Sequence, residues 1–170
     1  MNNDIIIIDC EASGLDTNSY PIQIAWYNMA NDDQDSFYIK PHEDWLYWDI
    51  NAENIHNIPR KTLYDVGLCV KEAAERILPI LQTHDTIYCD APYFDQFWVH
   101  RLIETYEVVA KKKINKNTLS TFMHVCDLVD MDYIHIVSDE LSNDERSHDA
   151  LDDCKSIAQC VLRAMKRINS

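Results

Sequence analysis

The sequence predicts an α/β fold: a mixed five-stranded sheet flanked by helices, in a single domain spanning residues 1–170. Two observations set this expectation. Three strand-like segments come first, and from residue 62 onward helical patterns alternate with two further strand-like segments. The length of 170 residues and an apolar fraction of 46% suffice for a sizeable buried core.

Residues 5–8 are four isoleucines in a row. β-Branched side chains pack well on a pleated surface, so this run suits a strand buried on both faces. In residues 20–30, Ile22, Ile24 and Trp26 alternate with Gln23, Ala25 and Tyr27, the period of a second strand. Asn31, Asp32 and Asp33 make a turn, and residues 36–40 form a third strand ended by Pro41. These three are expected as an antiparallel meander with the first strand central.

Residues 45–59 are aromatic-rich and irregular, with one helical turn at 52–55. Thr62 with Asp65 resembles a capping box. Val66, Cys69, Val70, Ala73, Ala74, Ile77, Leu78 and Leu81 then keep helical spacing, predicting one long helix that Pro79 kinks or ends. Residues 86–89 read as a short strand, and Asp90-Ala91-Pro92 as a helix start. Further on, 119–129 reads as a helix, 133–137 as the fifth strand, 138–147 as a polar loop and 149–167 as the last helix.

Composition excludes several classes. The only glycines are Gly14 and Gly67, so no glycine-rich phosphate cradle exists, neither P-loop nor dinucleotide fingerprint. A net charge of −14 argues against nonspecific binding of long duplex, which rests on many Lys and Arg contacts. It leaves room for a metal-assisted site for a short strand, because bound divalent ions invert the local sign. Lys111, Lys112, Lys113 and Lys116 form the one basic cluster, a solvated run or a phosphate-steering patch. The six cysteines make no C-x-x-C pair, and several fall in apolar stripes. With no signal-peptide or membrane-span pattern at the N-terminus, they are expected as reduced core residues of a cytoplasmic protein without membrane association.

The isoleucine run ends in two carboxylates, Asp9 and Glu11. Strand side chains two apart share a face, so both project together. Carboxylates that close repel unless a proton or cation sits between them. An oxygen-only pair suits a hard ion such as Mg2+ or Mn2+. The plainer reading makes them turn residues ahead of Gly14. Further along, Asp95 lies one turn into the helix after the fourth strand. In the last helix, Ala150, Cys154, Ile157, Ala158, Val161 and Met165 share one apolar face at about 100° per residue. Asp153 borders that face and Asp152 points away to solvent. His148 sits just ahead, with the ordinary titration range of a general base at neutral pH. Taken singly, these are a helix carboxylate, an exposed acid and a loop histidine.

Taken together they resemble a family. Asp9-Cys10-Glu11-Ala12-Ser13-Gly14-Leu15 is similar to D-x-E-x-S/T-G-L. Phe94-Asp95 and His148-Asp149-Ala150-Leu151-Asp152-Asp153 are similar to the later motifs of the DEDDh 3′–5′ exonucleases of ribonuclease H-like fold, which include the proofreading, RNase T and oligoribonuclease groups. Ile55-His56-Asn57-Ile58 is similar to that family's I-H-G-I segment, with Asn57 in place of glycine. Asp90-Ala91 stands where the family often has His-Asn. Asp90 there either caps the helix or adds a charge, and the Phe-Asp match selects Asp95 as the metal-side acid.

The resemblance implies removal of 5′-mononucleotides from the 3′ end of single-stranded nucleic acid, RNA or short oligonucleotides favoured, with two divalent ions, Mg2+ or Mn2+. It implies Asp9, Glu11, Asp95 and Asp153 as metal ligands, with Asp9 bridging, and His148 as general base. Leu15, His56, Tyr93 and Phe94 are implied to stack or wedge the terminal nucleotides; core packing is the competing reading of Phe94. Some relatives pair as dimers, so a homodimer belongs to the same expectation. Two other functions compete: a catalytically silent nucleic-acid-binding module of the same fold, and a metal-dependent nucleotide phosphohydrolase suggested by His84-Asp85 and His148-Asp149.

Overall fold

The structure, a computed structural model, describes residues 4–170. Met1, Asn2 and Asn3, read above for signal-peptide features, lie outside the described residues. Strands β1 (Ile6–Ala12), β2 (Pro21–Asn28) and β3 (Gln34–Tyr38) form the meander, and β4 (Thr86–Cys89) and β5 (Thr121–His124) complete the sheet. The order is β3-β2-β1-β4-β5, antiparallel through the first three and parallel from β1 to β5. β1 is therefore central, and the mixed five-stranded sheet is the one expected.

The β1 side chains alternate between two cores. Ile6, Ile8, Cys10 and Ala12 join the cluster that contains residues of α3 (Val70–Thr83) and α4 (Pro92–Ala110). Ile7 joins the opposite cluster, with Val137 of α5 (Ile134–Ser142) and Ala150, Cys154 and Ile157 of α6 (Ala150–Ile168). Asp9 and Glu11 share the face of Ile7, on the α6 side. The register of β1 against β2 slips between Glu11 and Ala12, an irregularity of the kind that re-aims side chains at a strand end.

Five expectations need correction. The helix expected from Thr62 is two helices, with α1 (Ile50–His56) preceding them and α2 (Arg60–Val66) ending at Gly67. There the backbone leaves the helix to extend the β3 edge: Leu68 N–H donates to Tyr38 O at 2.9 Å, and Lys40 N–H to Leu68 O at 2.8 Å. A Cβ at Gly67 would lie 2.4 Å from Leu63 O and 2.6 Å from Lys40 N, so the close approach requires glycine. The capping box is at Cys69 and Glu72 rather than Thr62 and Asp65, and it leaves Cys69 exposed while the other five cysteines are buried. All six thiols are free.

Pro79 does not end α3, which runs on to Thr83; the proline faces solvent, where water can satisfy the carbonyl it frees. The last two corrections are paired. Residues 121–124 are strand β5 rather than helix, and 134–142 are helix α5 rather than strand. Leu119, Phe122, Cys126 and Val129 do fall at helical spacing. The free edge of β4 captures the segment anyway, pairing Thr86 with Thr121 through Cys89 with His124.

Candidate active site

The carboxyl ends of β1 and β4 and the N-termini of α4 and α6 meet at one point. Asp9, Asp90 and Asp95 each present an oxygen there, all within 4.8 Å of one another. Glu11, His148 and Asp153 form a second such group, again within 4.8 Å. The structure thus brings together all five of Asp9, Glu11, Asp95, His148 and Asp153, and adds Asp90. Asp152 faces solvent, while Asp153 is 4% exposed, as the helical periodicity required.

Each side chain is held by local structure. Asp149 caps α6, accepting from Leu151 N–H at 3.1 Å and Asp152 N–H at 3.3 Å. Its other oxygen accepts from Gln23 Nε2 at 2.9 Å. Gln23 Oε1 in turn accepts from Ala150 N–H at 3.3 Å, so a buried amide on β2 fixes where α6 begins. Asp153 accepts from Ser147 N–H at 2.8 Å, Ser147 Oγ at 3.0 Å and His148 N–H at 3.1 Å. That clamp holds His148 at φ 57°, a left-handed conformation costly for a residue with a Cβ. Gly14, at φ 146°, closes the turn after β1; a Cβ there would lie 2.7 Å from the Tyr47 ring.

The electrostatics are those of buried carboxylates crowded together. Burial, then the charge of Asp153, pushes Glu11 up to about 8. Burial, then Asp90, pushes Asp95 up to about 8 against smaller opposing hydrogen bonds from Cys89 and Cys10. Burial, then Asp95 and Glu11, holds Asp9 well above the carboxylate range. Asp95 is 2% exposed, and its Oδ2 has no hydrogen-bond partner. A buried carboxylate oxygen without a donor costs free energy that a cation would recover. Oxygen donors in two groups suit hard divalent ions, so the residues present fit the metals that the resemblance implies.

The residues expected to touch substrate are distributed unevenly. Leu15 and His56 line a cleft of about 220 Å³ with Glu11, Trp98 and His148. Leu15 is 71% exposed. His56 is buried, and its Nδ1 accepts from Ile58 N–H at 3.0 Å. That fixes the proton on Nε2, a buried donor without a partner. Asn57 caps α1 in the left-handed conformation (φ 55°), the backbone a glycine would supply. Tyr93, two residues before Asp95 in α4, is 78% exposed. Phe94 is part of the packing, stacked on Trp98 at 5.5 Å and carrying Tyr93 edge-on at 5.3 Å. The lysine run sits at the far end of α4, about 24 Å along the helix from Asp95. Lys113 pairs there with Glu107 and Lys116 with Glu104.

Gln23, Ser147 and Asp149 hold the site's side chains in place, Arg146 donates to Asp90 at 2.9 Å, and the sequence reading assigned none of the four. Asp149 carried a usable signal, an aspartate directly before an apolar helical pattern. Gln23 carried none, since its partner lies 126 residues away.

A central strand whose acids meet acids from two helices at the carboxyl edge of a mixed sheet defines the ribonuclease H-like architecture. The exonuclease family model named for RNase T matches residues 6–161, and the chain belongs to that family, the DEDDh exonucleases. The structure is similar to Escherichia coli exonuclease I in a zinc-bound complex with single-stranded DNA, with a TM-score of 0.74, 15% identity, and coverage of 98% of this chain and 41% of that one. It is similar also to the same enzyme in complex with a dT13 oligonucleotide, with a TM-score of 0.73, 17% identity, and coverage of 98% and 42%. A third similar structure is a moderately thermophilic exonuclease I from Methylocaldum szegediense, with a TM-score of 0.69, 15% identity, and coverage of 96% and 41%. The chain spans about two fifths of the length of these structures. No curated protein shows a significant sequence match. No helix among the described residues is long and apolar enough to cross a membrane.

Proposed function

We propose that this chain hydrolyses phosphodiester bonds from the 3′ end of short single-stranded nucleic acid, releasing nucleoside 5′-monophosphates with the help of two divalent cations. The observation that carries the proposal is the pair of donor groups, Asp9–Asp90–Asp95 and Glu11–His148–Asp153, around a buried Asp95 oxygen that lacks a donor. Divalent cations bound there would offset the charge that builds on the phosphate in the transition state, which carboxylates alone would repel.

The chain's own residues supply the rest. Glu11 and Asp153 would hold one cation, and Asp9 and Asp95 the other. His148 takes the proton of the attacking water as oxygen bonds to phosphorus. The bond from phosphorus to the 3′ oxygen breaks, and that oxygen is protonated from solvent. His56 Nε2–H is free to donate to the terminal nucleotide, and Leu15 and Tyr93 offer apolar surface to splayed bases. Mg2+ and Mn2+ both fit the donors. Charge selects strand length and is blind to the sugar: a surface of −14 disfavours long polyanions whether RNA or DNA. Similar structures hold single-stranded DNA, so the proposal covers both sugars and replaces the RNA preference with one for short strands.

Two rival readings fare worse. The complete set of acids disfavours a silent binding module. The His-Asp phosphohydrolase reading needs an all-helical fold, and His84 caps the C-terminus of α3 ahead of β4, away from the strand's acidic end. The test uses matched 5′-labelled RNA and DNA oligonucleotides with Mn2+, on the wild type and Asp9→Ala. Stepwise 3′ shortening by the wild type and none by the folded variant is expected. Undiminished shortening by Asp9→Ala, or none by the wild type, would overturn the proposal.

A further inference from the structure

Asp90 has no place in the family's four-acid pattern, and the structure removes its plainer role. The residue that caps α4 is Ala91, and no side chain makes a cap hydrogen bond there. Asp90 instead follows the last residue of β4, with an oxygen within 4.8 Å of those of Asp9 and Asp95. A third carboxylate at that point worsens the repulsion unless something positive is due there. The Asp95 oxygen without a donor, in a side chain 2% exposed, independently marks the same place as short of a cation.

One positive group already reaches Asp90. Arg146 donates to it through Nη2 at 2.9 Å and to Asp144 through Nη1 at 3.3 Å. Both pairs are partly shielded from solvent. Arg146 stands in the segment that carries Ser147 and His148. A single guanidinium bonded to Asp90 and Asp144 leaves the Asp95 oxygen unanswered.

We propose that Asp90 is a third carboxylate ligand of the cation shared by Asp9 and Asp95, and that Arg146 is the counter-ion that holds Asp90 while that cation is absent. The inference rests on the metal-dependent reading above. It predicts opposite effects from the two partners of one ion pair. Asp90→Asn removes a ligand and weakens one metal site. Arg146→Met removes a competing positive charge, tightens the same site and lowers the thermal stability of the metal-free protein. A salt bridge with a purely structural role would change stability in both variants and metal affinity in neither.

The experiment is calorimetric titration of metal-stripped protein with Mn2+, alongside thermal melts. Wild type should bind two ions. Asp90→Asn should lose about tenfold or more in affinity for one ion and keep the other, and Arg146→Met should bind that ion more tightly. Two unchanged affinities in Asp90→Asn overturn the role of Asp90 while leaving the exonuclease reading intact. If Asp90→Asn fails to fold, Arg146→Met decides, and an unchanged affinity there also overturns it. A wild type that binds no Mn2+ overturns both readings.

Discussion

Glu11 and Asp95 are pushed up to about 8 by burial and by their acidic neighbours, from ordinary values of 4.5 and 3.8. Between those limits the folded chain without metal holds protons that the unfolded chain releases, so folding stability falls as pH rises through that window. Melting temperature without metal should therefore drop steadily between pH 5 and about 8.5. Saturating Mn2+ should flatten the drop, because the cation replaces the protons. A metal-free melting temperature that rises with pH over this range would contradict the electrostatics. Asp9→Asn replaces one buried acid of the same cluster with a side chain that cannot ionise. It should raise the metal-free melting temperature at pH 8 by about 2–4 °C while abolishing activity, a trade-off visible in melts and digestion assays together. His148→Ala should keep Mn2+ affinity within a few-fold and lose about 10²–10⁴ in rate, which separates a proton acceptor from a metal anchor.

At the scale of elements, the site depends on where α6 begins, and the buried Gln23 amide sets that point from β2. Gln23→Leu leaves the Asp149 oxygen without its donor and close to Glu11, so the clamp on Asp153 should loosen. The expected result is a turnover loss of about tenfold or more together with a destabilisation of about 1–3 kcal/mol, read by kinetics and denaturant titration. Unchanged kinetics would show that the α6 start is fixed without Gln23. The same scale explains what could be read from the chain and what could not. β2 and α6 were legible because burial imposed a clean period on each, β1 because an unbroken isoleucine run suits a strand buried on both faces, and the start of α4 from Asp90-Ala91-Pro92. β5 and α5 exchanged identities because both are short apolar runs, and only the open edge of β4 decides which one becomes a strand. The break at Gly67 was hidden for the same reason: the bonds that end α2 go to β3, far away in sequence. In the site, Asp153 was legible from helical phase, whereas Arg146 and Gln23 act through partners that no local pattern announces.

At the scale of the whole molecule, the charge of −14 has kinetic consequences. Tight binding of long nucleic acid releases counterions from many phosphate contacts and weakens steeply with salt. The lysine run at the end of α4 is partly spent on Glu104 and Glu107. KM for a short oligonucleotide should thus change little between 50 and about 200 mM salt, and duplexes should compete poorly. A steep loss of affinity with salt would contradict this reading.

The central claim is that acids from β1, α4 and α6 cage two divalent cations. Anomalous scattering from a crystal soaked in Mn2+ tests it most directly. Two peaks are expected, one among Asp9, Asp90 and Asp95 and one beside Glu11 and Asp153. An acidic cluster that stays free of Mn2+ under saturating soak would contradict it.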